Sequence, residues 1–247
     1  MQITPVVKQL LIINIIFFLG SQFVPLANDM LALHYPESDG FYFWQILTHM
    51  FMHGSVMHIL FNMLGLYSFG SALEHFWGGK KFLFFYISCG LGSALLYTAF
   101  NYYEFHQGYN LMIANGFSPA EIKTYFNGGS IPLGARPDIN QEMIKPAFEA
   151  YYSRAVGASG ALYGLMTAFA FMFPNAELIM IFLPIPIKAK YFVPLLLTYD
   201  LIGGFYGKSV FGGDDGIAHF GHIGGALVGF IMMWYWKKNQ FNDRRWN

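Results

Sequence analysis

Long apolar stretches constrain what this chain can fold into. They cover about residues 9–28, 55–76, 82–101, 158–174, 189–207 and 217–236. A helix needs about 20 predominantly apolar residues to cross the hydrocarbon of a bilayer, where only helices and closed barrels satisfy their backbone groups. Charged residues make up 11% of the chain, against roughly a quarter in soluble proteins. The sequence therefore predicts an all-α membrane protein with six transmembrane helices.

The distribution of positive charge predicts how these helices are oriented. Cytoplasmic segments of membrane proteins are enriched in Lys and Arg. Nine of the 14 Lys and Arg residues lie in the terminal segments and in the turns expected on the same side: Lys8, Lys80, Lys81, Lys188, Lys190, Lys237, Lys238, Arg244 and Arg245. We therefore expect both termini to be cytoplasmic, in a plasma (inner) membrane, with the segment before the fourth stretch outside.

Composition also limits the partners and sites. The formal net charge is zero, so nucleic acid binding has no electrostatic support. Cys89 is the single cysteine of the sequence, which excludes an intrachain disulfide and a multi-cysteine metal site. The lipid bilayer is the partner that the composition predicts.

Residues 102–153 form the longest segment expected outside the membrane, and a segment of this length should carry structure of its own. Ser118 and Glu121 have the spacing of a helix capping box. Seven apolar side chains at helical spacing predict a second, amphipathic helix along the outer interface, kinked or divided at Pro146. They are Ile139, Met143, Ile144, Ala147, Phe148, Tyr151 and Tyr152. The segment is either an external embellishment or an element that gates substrates or binds a partner.

A serine opens the fourth apolar stretch. Ser159 stands in the tetrapeptide Gly-Ala-Ser-Gly (157–160), and residues 161–174 carry no charge. A serine hydroxyl needs a neighbouring base, and donors for the developing oxyanion, before it acts as a nucleophile. Such tetrapeptides also pack transmembrane helices closely, so the motif alone leaves both roles open. It is not the Gly-x-Ser-x-Gly elbow, since residue 161 is Ala.

The last stretch supplies a candidate base. His219 and His222 are three residues apart and share one helical face. Gly225 and Gly229 follow His222 in the small-xxx-small pattern that lets helices approach closely. We favour His222 as the base because it lies deeper in the stretch, and expect His219 to be a surface or hydrogen-bonding histidine.

The second stretch supplies candidate oxyanion donors. His58 and Asn62 are four residues apart, so both point along one face of an otherwise apolar helix. They either donate to an oxyanion or form a hydrogen-bonded pair between helices. His49, His53 and His58 also allow a metal site, although no glutamate fills the general-base position of His-Glu-x-x-His.

These residues together resemble the rhomboid intramembrane serine proteases. The resemblance rests on HGSVMHILFN (53–62), GASGALYG (157–164) and AHFGHIGGALVG (218–229), in that order along the chain. It covers most of residues 41–236. It implies a six-transmembrane-helix rhomboid-like bundle as a single membrane domain over residues 1–247, here with a long external insertion at 102–153 before the fourth span.

The resemblance also implies a role for each site residue. Ser159 looks like the nucleophile and His222 like its general base, in a dyad without an acid. His58, Asn62 and the Ser159 amide look like the oxyanion hole. The supporting residues implied are Tyr163, which packs on the imidazole, Gly157 of the serine motif, and the close-packing Gly225 and Gly229. Asp200 in the fifth stretch can be proposed as an orienting acid, but we favour an interfacial or interhelical hydrogen bond for it.

The expected function is therefore intramembrane serine endopeptidase activity on transmembrane protein substrates, through an acyl-enzyme and without a cofactor or metal. One departure concerns the first external loop, where the family often has Trp-Arg and this chain has Trp44-Gln45. This puts arginine-dependent bracing of that loop in doubt. The alternatives are an inactive rhomboid-fold protein that binds membrane clients and a transporter or metal-binding channel built on intramembrane histidines.

Overall fold

Helices make up most of the chain in the computed structural model, which describes residues 2–129, 139–180, 183–206 and 218–239. The α-helices are α1 Pro5–Phe23, α2 Leu26–Leu31, α3 Gln45–Thr48, α4 Val56–Gly65, α5 Ser71–Trp77, α6 Gly79–Ala114, α7 Pro119–Phe126, α8 Gln141–Tyr152, α9 Ser159–Met172, α10 Ala189–Tyr206 and α11 His219–Asn239. A 3-10 turn, His49–Phe51, follows α3, and a π-helical turn, Leu66–Gly70, joins α4 to α5.

Each of the apolar stretches contains helix. Residue 207 of the fifth stretch, residue 217 of the sixth, residues 130–138 of the 102–153 segment, and Arg244 and Arg245 of the charge pattern lie outside the described residues. Three helical segments of the described chain are long and apolar enough to cross a membrane: Pro5–Phe23, Val56–Trp77 and Gly79–Ala114. The helix α9 is apolar but shorter. The protein is therefore a mostly helical membrane protein.

Short strands depart from the expectation of an all-α chain. Strand β1 (Leu33–His34) pairs antiparallel with β2 (Arg154–Ala155), and β3 (Glu177–Met180) pairs with β4 (Leu183–Lys188). The first pair joins the loop after α2 to the residues just before α9. Two-residue strands carry no readable alternation of apolar and polar side chains, so sequence periodicity cannot reveal them.

Residues 102–114, the start of the segment expected outside the membrane, continue α6 as helix to Ala114. The added turns bury Phe105 and Met112 in a separate apolar cluster with α7 and α8. Gly108 allows α8 to approach, since a Cβ there would lie 2.3 Å from the Cβ of Ala147. A local core of its own explains why this part of the chain is ordered helix rather than loop.

The two short helices of that segment differ in how well they were predicted. The capping box of Ser118 and Glu121 is present at the start of α7. In α8, Pro146 does not divide the helix, which runs unbroken from Gln141 to Tyr152. Of the apolar side chains of α8, Ile144 and Ala147 are buried against protein, whereas Met143, Phe148 and Tyr152 are exposed.

The helices α6, α9 and α11 pack through glycines. A Cβ on Gly225 of α11 would lie 1.8 Å from the carbonyl oxygen of Gly160 in α9, and one on Gly229 would lie 2.8 Å from the Gly164 backbone. Neither distance admits a side chain, so the two helix backbones are in direct contact. The first turn of α9 is thereby fixed against the second turn of α11.

Substituting Gly225 with alanine should therefore force α9 and α11 apart. We expect Gly225→Ala to lower the free energy of unfolding by about 1–3 kcal/mol, the usual cost of overpacking, and to lower the thermal midpoint in detergent. The matched control is Gly20→Ala on α1, where a Cβ would meet no atom within 4 Å. Equal midpoints for the two variants would contradict direct backbone contact.

Candidate active site

Ser159 is the first residue of α9, where the helix leaves backbone N–H groups unpaired. The preceding Gly157 has φ +121°, a conformation that favours glycine. A Cβ on Gly157 would also lie 2.7 Å from Nε2 of His58. Glycine at this position thus lets the chain turn sharply into α9 while the His58 ring lies against it.

His222 contacts the serine across the α9–α11 interface. Its Nε2 lies 2.9 Å from Ser159 Oγ, a hydrogen-bonding distance. Gly225 lies one turn further along α11, so the glycine contact described above sets this separation. The structure brings together the two residues that the sequence paired.

The aromatic ring of Tyr163 packs on the same imidazole. The Tyr163 and His222 ring centroids are 4.2 Å apart and the planes differ by 11°. Tyr163 lies one turn after Ser159 on α9, so one helix carries both the hydroxyl and the surface that fixes the ring plane. The stack restricts rotation of the imidazole about its side-chain bonds.

Asp200 of α10 contacts the opposite nitrogen of His222. Its Oδ1 lies 2.9 Å from Nδ1 of His222 and 2.8 Å from Nδ1 of His219. The expected interhelical hydrogen bond of Asp200 is therefore present, and one partner is the imidazole that contacts the serine. His219 is hydrogen-bonded as expected, but at 7% exposure it is not a surface residue.

His58 and Asn62 line one cavity with Ser159, Tyr163 and His222. The cavity has a volume of about 1020 Å³. The Asn62 side chain donates to the His58 backbone carbonyl at 2.8 Å, within its own helix, and the His58 Nδ1 accepts from the Gly54 N–H at 3.4 Å. These bonds are local, so they do not form the pair between helices that was the alternative for these residues.

A buried glutamine braces the loop before α4. Gln45 is fully buried, and its carboxamide bonds to five backbone groups, three in the loop between α2 and α3 and two in α2 itself. The N–H donors belong to His34 and Tyr42, and the carbonyl acceptors to Asp29, Met30 and Gly40. In this chain a neutral amide, rather than an arginine, therefore braces the loop.

The braced loop is attached to the serine motif. Gly157 donates its N–H to the His49 carbonyl at 2.9 Å, and β1 pairs with β2 directly before the motif. Arg154 of β2 also forms a salt bridge with Asp29 of α2. The position of Ser159 therefore depends on the loop as well as on α11.

The part of the chain that the structure describes contains no cluster of side chains that could bind a metal ion. No group of three or more His, Cys, Asp or Glu side chains there is placed to hold an ion. His49 directs Nδ1 to the Gln45 carbonyl at 2.9 Å, whereas the His53 ring packs edge-on against His58. The histidines that raised the metal alternative thus do not converge.

Comparison with known proteins identifies the family. Residues 40–121 and 139–239 match a family model described as the rhomboid domain. The chain belongs to the rhomboid family. The unmatched residues between these two ranges, 122–138, lie within the 102–153 segment.

Curated rhomboid relatives are distant and longer. A mitochondrial rhomboid protein of Schizosaccharomyces pombe is 26% identical over 213 residues, which cover 79% of this chain and 52% of that protein. RHOMBOID-like protein 12, mitochondrial, of Arabidopsis thaliana is 26% identical and is matched over 47% of its length. The rhomboid protease AarA of Providencia stuartii is 26% identical over 76% of this chain and 54% of the relative. The chain thus spans about half the length of these relatives.

Two residues of this site have contacts that the sequence does not predict. Asp200 bonds to His222, a partner that its expected hydrogen bond leaves unnamed, and Gln45 braces the loop where the family's arginine is missing. Both are polar residues that the fold buries almost completely. Buried polar groups require partners, but the sequence alone does not show which polar residues will be buried.

Removing the Gln45 amide should loosen the loop. Gln45→Leu leaves the His34 and Tyr42 N–H groups without their acceptor, and each unpaired buried group costs roughly 1–3 kcal/mol. We expect a lower thermal midpoint in detergent. Gln22→Leu, at an exposed glutamine of α1, is the control and should leave the midpoint unchanged. A Gln45→Leu midpoint equal to that of the control would show that the loop does not depend on the amide.

Proposed function

We propose that this rhomboid chain is an intramembrane serine endopeptidase. The observation that carries the proposal is the 2.9 Å contact between Ser159 Oγ and His222 Nε2. A hydroxyl next to an imidazole nitrogen is the arrangement that nucleophilic catalysis requires. The name of the relative AarA, a rhomboid protease, supports the same function.

In the proposed reaction, Ser159 Oγ attacks the carbonyl carbon of a peptide bond while its proton moves to His222 Nε2. The tetrahedral intermediate then expels the amine, which takes the proton from His222 and leaves an ester on Ser159. Water, deprotonated by His222 Nε2, attacks the carbonyl carbon of that ester. The new tetrahedral intermediate breaks its bond to Ser159 Oγ, which takes the proton back from His222 as the carboxylic acid leaves. Each step uses the imidazole as the one proton carrier.

We assign the oxyanion to donors that line the cavity beside Ser159. The candidates are the His58 ring, the Asn62 amide and the backbone N–H of Ser159. Asn62 has a second amide N–H besides the one bonded to the His58 carbonyl. The N–H of Ser159 is available because it begins a helix.

The lining of the cavity favours a substrate with apolar side chains. Beyond its polar end it is lined by Phe61 of α4, Met166 of α9 and Leu196 of α10, among other apolar residues. It extends along the space between α4 and α10 as far as Glu177 and Leu178 of β3. An unwound part of a transmembrane segment fits such a lining, so we propose membrane proteins as substrates.

The arrangement in the membrane belongs to the proposal too. We propose one domain with six spans, formed by α1, α4 with α5, α6, α9, α10 and α11, both termini cytoplasmic, and the active site open to the other side. The 102–153 segment then lies outside and can restrict access. The plasma membrane expected from the sequence finds no support, because two of the relatives described above are mitochondrial by name.

Removing either member of the pair should abolish cleavage of a membrane-protein substrate. We expect Ser159→Ala and His222→Ala each to lower the rate at least about 10³-fold, because loss of one member of such a unit removes nearly all of its effect. Ser88→Ala on α6, whose hydroxyl bonds to its own helix, is the control. Gel-based cleavage in proteoliposomes measures the rates. Persistent cleavage by either site variant would refute the proposal.

Removing an oxyanion donor should have a smaller effect. We expect His58→Ala and Asn62→Ala to lower kcat by roughly 10²-fold with little change in KM, since a donor of this kind acts mainly in the transition state. Steady-state kinetics on the same substrate measure both constants. Unchanged kcat in both variants would remove these side chains from the oxyanion hole.

A further inference from the structure

The carboxylate of Asp200 is almost completely enclosed, with 1% of the residue exposed. A buried carboxylate is costly unless hydrogen bonds compensate for its lost hydration. Here the compensation comes from two imidazoles of one helix face, since His219 and His222 both direct Nδ1 to Oδ1. Asp200 therefore connects α10 to the face of α11 that carries the proposed base.

This contact determines the tautomer of His222. An ionised carboxylate can accept hydrogen bonds but cannot donate them. The Nδ1 of a neutral His222 must therefore carry the ring proton, which leaves the lone pair of Nε2 directed at Ser159 Oγ, 2.9 Å away. A neutral imidazole in the other tautomer would present an N–H to the serine and could not accept its proton.

A glycine in α10 allows this helix to approach the His219 ring of α11. A Cβ on Gly203 of α10 would lie 2.6 Å from Cε1 and Nε2 of His219. Only a glycine leaves room for that ring one turn from Asp200. The phenol of Tyr163 faces the same carboxylate from α9, so three helices enclose the group.

We propose that Asp200 is a positioning residue that holds His222 in the tautomer and orientation needed to accept the Ser159 proton. This inference rests on the proposed function and extends the expected dyad to Ser159, His222 and Asp200. Asp200 does not contact the reacting atoms and acts through the imidazole. His219 holds the carboxylate in place from its other side.

The test is Asp200→Asn, which preserves the shape of the side chain but can donate an N–H to Nδ1 and so favour the wrong tautomer. Replacement of the acid by its amide in a Ser-His-Asp triad lowers kcat by about 10⁴-fold. We expect at least a roughly 10²-fold loss of kcat with KM within a few-fold of wild type. Thr198→Ala, an exposed position on the same helix, should leave both constants unchanged.

The outcomes separate this inference from the function on which it rests. A wild-type chain that does not cleave, or a Ser159→Ala chain that does, refutes the protease itself. An active wild type with normal kcat in folded Asp200→Asn overturns the positioning role alone. A loss of kcat that matches the lost folded fraction, followed by thermal unfolding, would make Asp200 merely structural. If the amide variant does not fold, Asp200→Ser provides the same comparison.

Discussion

The direct contact between the backbones of α9 and α11 is the constraint on which the site depends. Gly225 and Gly160 approach so closely that a methyl group cannot fit between them. Because Ser159 precedes Gly160 and His222 lies one turn before Gly225, the contact that packs the helices also fixes the hydroxyl against the imidazole. The same backbone contact therefore determines both the packing of α9 on α11 and the geometry of the proposed catalytic pair.

Around this contact, the protein concentrates buried polar groups that a membrane environment makes expensive. Asp200 and His219 form a hydrogen bond on the side of His222 away from the serine, and this bond offsets the cost of burying both side chains. Gln45 satisfies five backbone groups of α2 and of the loop that follows it. The 3-10 turn after α3 holds Gly157 through the His49 carbonyl. Asp200, His219 and Gln45 therefore each bond to groups in the elements that position Ser159 or His222.

Much of this arrangement could be predicted from the sequence because helical spacing places residues on faces. The apolar stretches indicated the helices, and the spacing of His222, Gly225 and Gly229 indicated a close interface. Helical spacing does not predict which residues of different helices contact one another. The contacts of Asp200 with His222 and of Gln45 with its loop depend on tertiary packing, and the extension of α6 to Ala114 depends on a local core formed with α8.

The most direct test of the central claim is covalent labelling of the detergent-solubilised protein by a fluorophosphonate, with the modified residue identified by mass spectrometry. Such reagents report a serine activated by a neighbouring base. We predict labelling at Ser159 in the wild type and in Ser88→Ala, and its loss in His222→Ala. A wild type that is not labelled, or a His222→Ala chain labelled at the wild-type rate, would show that the α9–α11 contact does not create an activated serine.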